Sequence, residues 1–202
     1  MKVLIACEFS GIVRNAFVSR GHDAWSCDLL PEEQPRPDGW NGHYQGDIFE
    51  CLNDMPEWDL MIAHPPCTYL CNSGIRWLYK EGNSKNGPDH ERWTHMQEAT
   101  DFYLRLYNVN IKRKCLENPR MHRYAIQLIG HTATQFIQPR YFGHEETKET
   151  GLDLVNLPPL NPTSSLRKGE ARVHTISPGP DRWKERSRTL LGIAEAMAEQ
   201  WG

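Results

Sequence analysis

The chain has 202 residues, 39% hydrophobic and 24% charged, with a net charge of -3. That suffices for one domain with a real core, so residues 1–202 are read as a single unit. It excludes a general basic field for nucleic acid, and any such contact must rest on local patches. The apolar run VLIA at 3–6 is far too short for a signal-peptide core or a membrane span, so the expectation is a cytoplasmic protein.

Lys2 to Cys7 is a short apolar strand that runs into Glu8-Phe9-Ser10-Gly11. A Ser10-Gly11 turn there would point backbone N–H groups at a ligand on a helix N-terminus. Residues 12–20 follow as a helix, with Ile12, Val13, Ala16 and Phe17 on one face and Gly21 after its end. Residues 24–27 form a second strand closed by Asp28. This is the order of a nucleotide-binding βαβ unit, with Asp28 placed as a ribose-binding carboxylate or as a plain solvated residue.

Residues 30–42 read as a loop and 43–46 as a short strand. Asp47-Ile48 then holds an adenine at a strand end, or Asp47 simply caps the helix of residues 48–53.

Asp59 to Gly74 reads DLMIAHPPCTYLCNSG. Its apolar run, Leu60 to Ala63, fits a buried parallel strand. Pro65 and Pro66 lack an N–H and have fixed φ, so the strand stops there and a stiff loop presents Cys67. The carboxyl end of a strand is where open α/β sheets bind ligands. A thiol on such a turn is a candidate nucleophile, or a structural cysteine after a proline turn.

Aromatic and basic residues interleave over 69–88, including Arg76, Trp77, Tyr79, Lys80 and Lys85. That suits stacking and phosphate contact with nucleotides, or a surface loop with Trp77 tucked on the core. Residues 90–108 form a long helix capped by Asp89, and 112–116 the next strand, ended by Glu117-Asn118-Pro119. Pro119 starts a helix and Gly130 ends it. Residues 134–138 read as a strand before Pro139-Arg140. Residues 143–180 are loop-like, with one candidate strand at 172–176. Residues 187–201 close the chain as a helix.

The six cysteines, at 7, 27, 51, 67, 71 and 115, suggest a reducing compartment without disulfides, with Cys7, Cys27 and Cys115 as core thiols. Nine scattered histidines show no metal-ligand spacing, so no metal is expected. His64, beside the prolines, reads as a loop residue that makes a backbone hydrogen bond, or as a residue touching the Cys67 thiol.

Four strand-end signals stand in one order: Phe9-Ser10-Gly11, Asp47-Ile48, Pro65-Pro66-Cys67 and Glu117-Asn118. The chain thereby resembles the DNA (cytosine-5) methyltransferase family, with its F-x-G, D-I, P-P-C and E-N-V motifs. Gln138-Pro139-Arg140 looks like the later Q-x-R, and residues 192–196 are similar to the closing segment. It is similar, too, to small methyltransferase-like proteins of bacteriophages, which implies the host cytoplasm. The departures are Thr68 after P-P-C, Pro119 for the Val of E-N-V, Phe142 for a second Arg and Ile193 for a closing Asn.

The resemblance implies an α/β, Rossmann-like fold, a mostly parallel sheet with helices on both faces. It implies S-adenosylmethionine as methyl donor, contacted by Phe9, Ser10, Gly11, Asp28, Asp47, Ile48 and Pro65. It implies Cys67 as the thiolate adding to cytosine C6, Glu117 as the carboxyl on N3 and the exocyclic amine, and Arg140 on the base carbonyl or the thiol. A duplex base would be flipped out to reach Cys67. Only residues 141–186 follow the Q-x-R, too few for a separate target-recognition domain. The DNA partner is therefore expected to be met with low sequence specificity, with RNA or a free nucleotide as other substrates. The remaining alternatives are a catalytically repurposed relative that binds nucleic acid or a host protein, and a thiol enzyme acting on free pyrimidine nucleotides.

Overall fold

A computed structural model describes residues 1–55, 57–171, 179 and 182–202. Seven strands form one sheet: β1 (Lys2–Ala6), β2 (Asp23–Asp28), β3 (His43–Gln45), β4 (Leu60–Ala63), β5 (Arg113–Pro119), β6 (Gln135–Ile137) and β7 (Thr150–Val155). Their order is β3-β2-β1-β4-β5-β7-β6. β1 to β5 pair in parallel, and β7 lies antiparallel between β5 and β6. The order reverses between β1 and β4, which opens a crevice at their carboxyl ends.

Period-two alternation explains why both faces are covered. Val3, Ile5, Leu60 and Ile62 face one layer, formed by α1 (Ile12–Val18) and the closing helix α6 (Leu191–Trp201). Leu4, Ala6, Met61 and Ala63 face the other, which draws on α2 (Ile48–Asp54), α3 (His90–Tyr107) and α4 (Arg123–Ile129). Trp201 is wholly buried in the first layer, and its indole N–H donates to the Pro158 carbonyl at 3.0 Å. A large buried side chain of this kind contributes about 1.5–3 kcal/mol. The expected Rossmann-like, mostly parallel sheet with helices on both faces is the observed one.

Several boundaries differ from expectation. β5 runs on through Glu117 to Pro119, because β7 supplies an antiparallel partner as far as the Pro119–Thr150 pair. Pro119 therefore ends a strand rather than starting a helix. α4 begins at Arg123, with the His122 imidazole accepting the Ala125 N–H as its cap. β7 itself lies inside the stretch expected to be loop. The closing helix is preceded by a separate short helix, α5 (Arg182–Ser187). The strand expected at 172–176 lies outside the described residues. Among the described residues, no helix is long and apolar enough to cross a membrane.

Candidate active site

A cavity of about 100 Å³ sits at the crevice. Its wall takes Cys7, Glu8, Phe9 and Ser10 from the end of β1, and His64, Pro65, Pro66 and Cys67 from the end of β4. Glu117 and Pro119 come from β5, Lys148 from the approach to β7, and residues 186–189 from the end of α5 and the turn after it. Thus the structure brings together Phe9, Ser10, Pro65, Cys67 and Glu117 of the expected site. Asp28 ends β2, while Asp47 and Ile48 open α2 just beyond β3.

The β4 loop is built as its prolines require. His64 N–H still donates to the Ala6 carbonyl at 2.9 Å, as a strand residue would. The chain then turns, and the N–H groups of Leu70 and Cys71 both donate to the Cys67 carbonyl at 3.0 Å. Asn118, 3% exposed, donates from Nδ2 to the Pro65 carbonyl at 3.0 Å and ties this loop to the end of β5.

Two groups meet here in opposite protonation states. The Cys67 thiol is pushed up by the neighbouring Cys71 sulfur, by burial and by the Glu117 charge. Burial pushes the Glu117 carboxyl up too, but it is held below the usual carboxylate range by the His64 hydrogen bond, the Lys148 charge and the Thr150 hydroxyl. At rest Cys67 is therefore a thiol and Glu117 a carboxylate.

Arg140 stands apart. It lies on a 3-10 turn, Pro139–Phe142, with its guanidinium 4.9 Å from the centroid of the Tyr141 ring and donating to the Tyr141 hydroxyl at 3.3 Å. It does not line the cavity. Lys148 does, and its charge acts on both Cys67 and Glu117.

Beyond the Ser10-Gly11 turn, the Val13 and Arg14 N–H groups of α1 are not offered to a ligand. Glu8, 5% exposed, takes the Val13 N–H at 2.7 Å and the Arg14 N–H at 3.2 Å, and accepts from the Ser10 hydroxyl at 3.1 Å. The amino end of α1 is thus closed by the chain's own carboxylate. Gly11 has φ +73°, and a Cβ there would come within 2.8 Å of the Gln34 carbonyl. Its constraint is the packing of the 30–42 loop. Asp47 caps α2, its Oδ1 taking the N–H groups of Phe49 and Glu50 at 2.8 and 3.4 Å. Ile48 is 4% exposed and belongs to the core. Asp28 accepts the Leu30 N–H at 2.9 Å, and burial lifts its carboxyl above the ordinary range.

Cys7 and Lys148 are among the lining residues not read from the sequence as part of the site. Cys7, expected in the core, is half-buried at the cavity with φ +58°, a conformation costly outside glycine. His64, expected to bond backbone or to touch the thiol, keeps its N–H on the Ala6 carbonyl and places Nδ1 3.3 Å from Glu117 Oε2. Lys148 precedes a strand whose existence was not foreseen. Over the cavity, Arg188 grips Glu33 with two bonds of 2.8 and 2.9 Å, and Lys148 donates to the Arg186 carbonyl at 2.9 Å. The Trp183 ring stands 6.0 Å from that of Phe9. Trp77, expected either in a contact surface or on the core, is 43% exposed with the Arg76 guanidinium 4.4 Å from its ring centroid.

No protein-family model matches the chain, and no curated protein matches it. Solved structures similar to it include one assigned as a DNA modification methyltransferase encoded within an E. coli prophage. It is 15% identical with a TM-score of 0.49, over 83% of this chain and 53% of that one. The Entamoeba histolytica methyltransferase EhMeth is 13% identical with a TM-score of 0.46, over 89% and 60%. The S. pombe Dnmt2 methyltransferase is 13% identical with a TM-score of 0.38, over 88% and 54%. The chain thus matches little more than half the length of these structures.

Proposed function

We propose that the protein transfers a methyl group from S-adenosylmethionine to C5 of a cytosine in DNA, through a covalent Cys67 adduct. The observation that carries this reading is the shared cavity of Cys67 and Glu117, with the two held in register by the Asn118–Pro65 hydrogen bond.

The residues at the crevice fit such a donor better than a phosphate-bearing cofactor. Glu8 already occupies the helix end where a phosphate would sit, and its charge favours a cationic ligand nearby. Phe9, Pro65, Asp28, Asp47 and Ile48 would hold it. When bound, it supplies an electrophilic methyl group. A nucleoside-sized ligand needs at least about 300 Å³. The cavity is smaller, so loading requires its wall to give.

The protein's own part is one proton and one nucleophile. The Cys71 sulfur, burial and the Glu117 charge together keep the proton on Cys67, and a proton on Glu117 removes one of these causes. A cytosine whose N3 and amine meet Glu117 draws that proton from Cys67 through the carboxyl towards N3. Cys67 Sγ then bonds to C6, and the C5=C6 pair becomes available at C5. Lys148, in the place first expected of Arg140, steadies the negative charge at the cavity mouth.

The test is incubation with methyl-labelled S-adenosylmethionine and DNA, single- and double-stranded. Label in DNA with the wild type and none with Cys67→Ala is expected. No cofactor binding by calorimetry would overturn the reading.

A further inference from the structure

His64 has a partner on one side only. Its side chain is 9% exposed, its Nδ1 lies 3.3 Å from Glu117 Oε2, and it lines the cavity with Cys67. Nε2 is buried and, among the described residues, has no hydrogen-bond partner. An ionised carboxylate can only accept, so Nδ1 carries the hydrogen, and in the neutral ring Nε2 then carries a bare lone pair. Leaving a buried acceptor unmatched costs about 1–3 kcal/mol. Native proteins keep such groups chiefly where a ligand or a chemical step uses them.

The reaction proposed above leaves one step without a residue. After methyl transfer, C5 holds both the methyl group and its original hydrogen, and C6 is still bonded to Cys67. The hydrogen must leave as a proton before the thiolate can be expelled. We infer that His64 Nε2 takes that proton, with Glu117 orienting the ring from Nδ1. The C5–H pair becomes the C5=C6 bond, the C6–Sγ bond breaks, and its pair returns to Cys67 as thiolate. The proton stays on the imidazole, whose charge the Glu117 carboxylate balances. A carboxylate behind a histidine that faces the reacting atom is an established way to set tautomer and basicity.

This inference rests on the methyltransferase reading, and its test separates the two. DNA carrying 5-tritiated cytosine is given to the wild type and to His64→Asn and His64→Gln variants, with S-adenosylmethionine. Tritium release and denaturation-resistant protein–DNA adduct are both followed. If His64 is the proton acceptor, both variants still transfer methyl but accumulate adduct on ordinary cytosine, and tritium release falls about 10²-fold or more. Variants that release tritium at the wild-type rate overturn the role of His64 and leave the methyltransferase standing. So do variants that fold and bind cofactor normally yet form no adduct, since His64 would then act earlier. A wild type that forms no adduct even with 5-fluorocytosine, whose C5 has no proton to lose, overturns the underlying reading as well. Nitrogen NMR of the unloaded protein gives a readout apart from activity: hydrogen on Nδ1 in the wild type, and loss of that preference in Glu117→Ala. Hydrogen on Nε2 in the wild type would overturn the inference.

Discussion

Asn118 Nδ2 and the Pro65 carbonyl, 3.0 Å apart, join the end of β5, which carries Glu117, to the loop that carries Cys67. Asn118 is nearly fully buried, so the bond is made away from water. Replacing it with alanine strands the Pro65 carbonyl and is expected to cost about 1–3 kcal/mol in urea unfolding. The larger effect is on the chemistry. A displacement near 1 Å between the two segments costs about 10²-fold in rate, so Asn118→Ala is expected to keep its cofactor affinity and lose most of its turnover.

Asp28 and Glu117 titrate in opposite senses on folding. Asp28 is lifted by burial, so its charged form is disfavoured in the fold and the protein gains stability as pH falls through the folded value. Asp28→Asn is therefore expected to raise the urea midpoint at neutral pH. It should also weaken cofactor binding by about tenfold, the worth of one charge-assisted hydrogen bond. Glu117 is depressed. Its contribution is present above the ordinary carboxylate value of 4.5 and is lost as pH falls through the folded value. Urea midpoints at a series of pH values below that point should fall less for Glu117→Gln than for the wild type.

Glu8 acts as an internal cap for α1 across a turn of positive φ at Gly11. Glu8→Ala removes the acceptor of two buried N–H groups and should destabilise by about 2 kcal/mol in urea unfolding. Glu8→Gln keeps an acceptor oxygen and should cost clearly less. Equal losses in the two would show that the charge, not the hydrogen bonding, holds the helix end.

The cover over the cavity depends on Arg188 and Glu33, a partly buried pair with two bonds. Such a pair is worth about 1 kcal/mol at most, so Arg188→Ala should open the site by about fivefold. The measurement is the alkylation rate of Cys67 by iodoacetamide, at one pH, followed by peptide mapping. An unchanged rate would mean that residues 186–189 do not limit access.

Most of the parallel half of the sheet was legible because β1, β2 and β4 are built on short apolar runs closed by an acidic residue or Pro. Leu60 to Ala63 matches its strand to the residue, since the two prolines leave no other end. β7 was not legible. Its sequence TGLDLV is short, holds Asp153, and follows a polar stretch, yet Asp153 is buried with bonds to the Tyr103 hydroxyl and His131 at 3.0 and 2.6 Å. No local pattern announces a carboxylate paid for by such distant partners. Missing β7 hid Lys148, and Arg140 was named only through the likeness of Gln138-Pro139-Arg140 to Q-x-R. Of the site, Cys67 and Glu117 were legible as strand-end chemistry. The His64–Glu117 contact was not, because it spans 53 residues and exists only once β4 and β5 pair.

The central claim is that Cys67 bonds covalently to the substrate base. It is tested most directly by incubating the wild type with S-adenosylmethionine and a 5-fluorocytosine oligonucleotide, then measuring intact mass and mapping the modified peptide. The account predicts a mass increase equal to the methylated oligonucleotide, located on Cys67 and absent from Cys67→Ala. An unmodified protein, or an adduct located on Cys71 or Cys7, would contradict it.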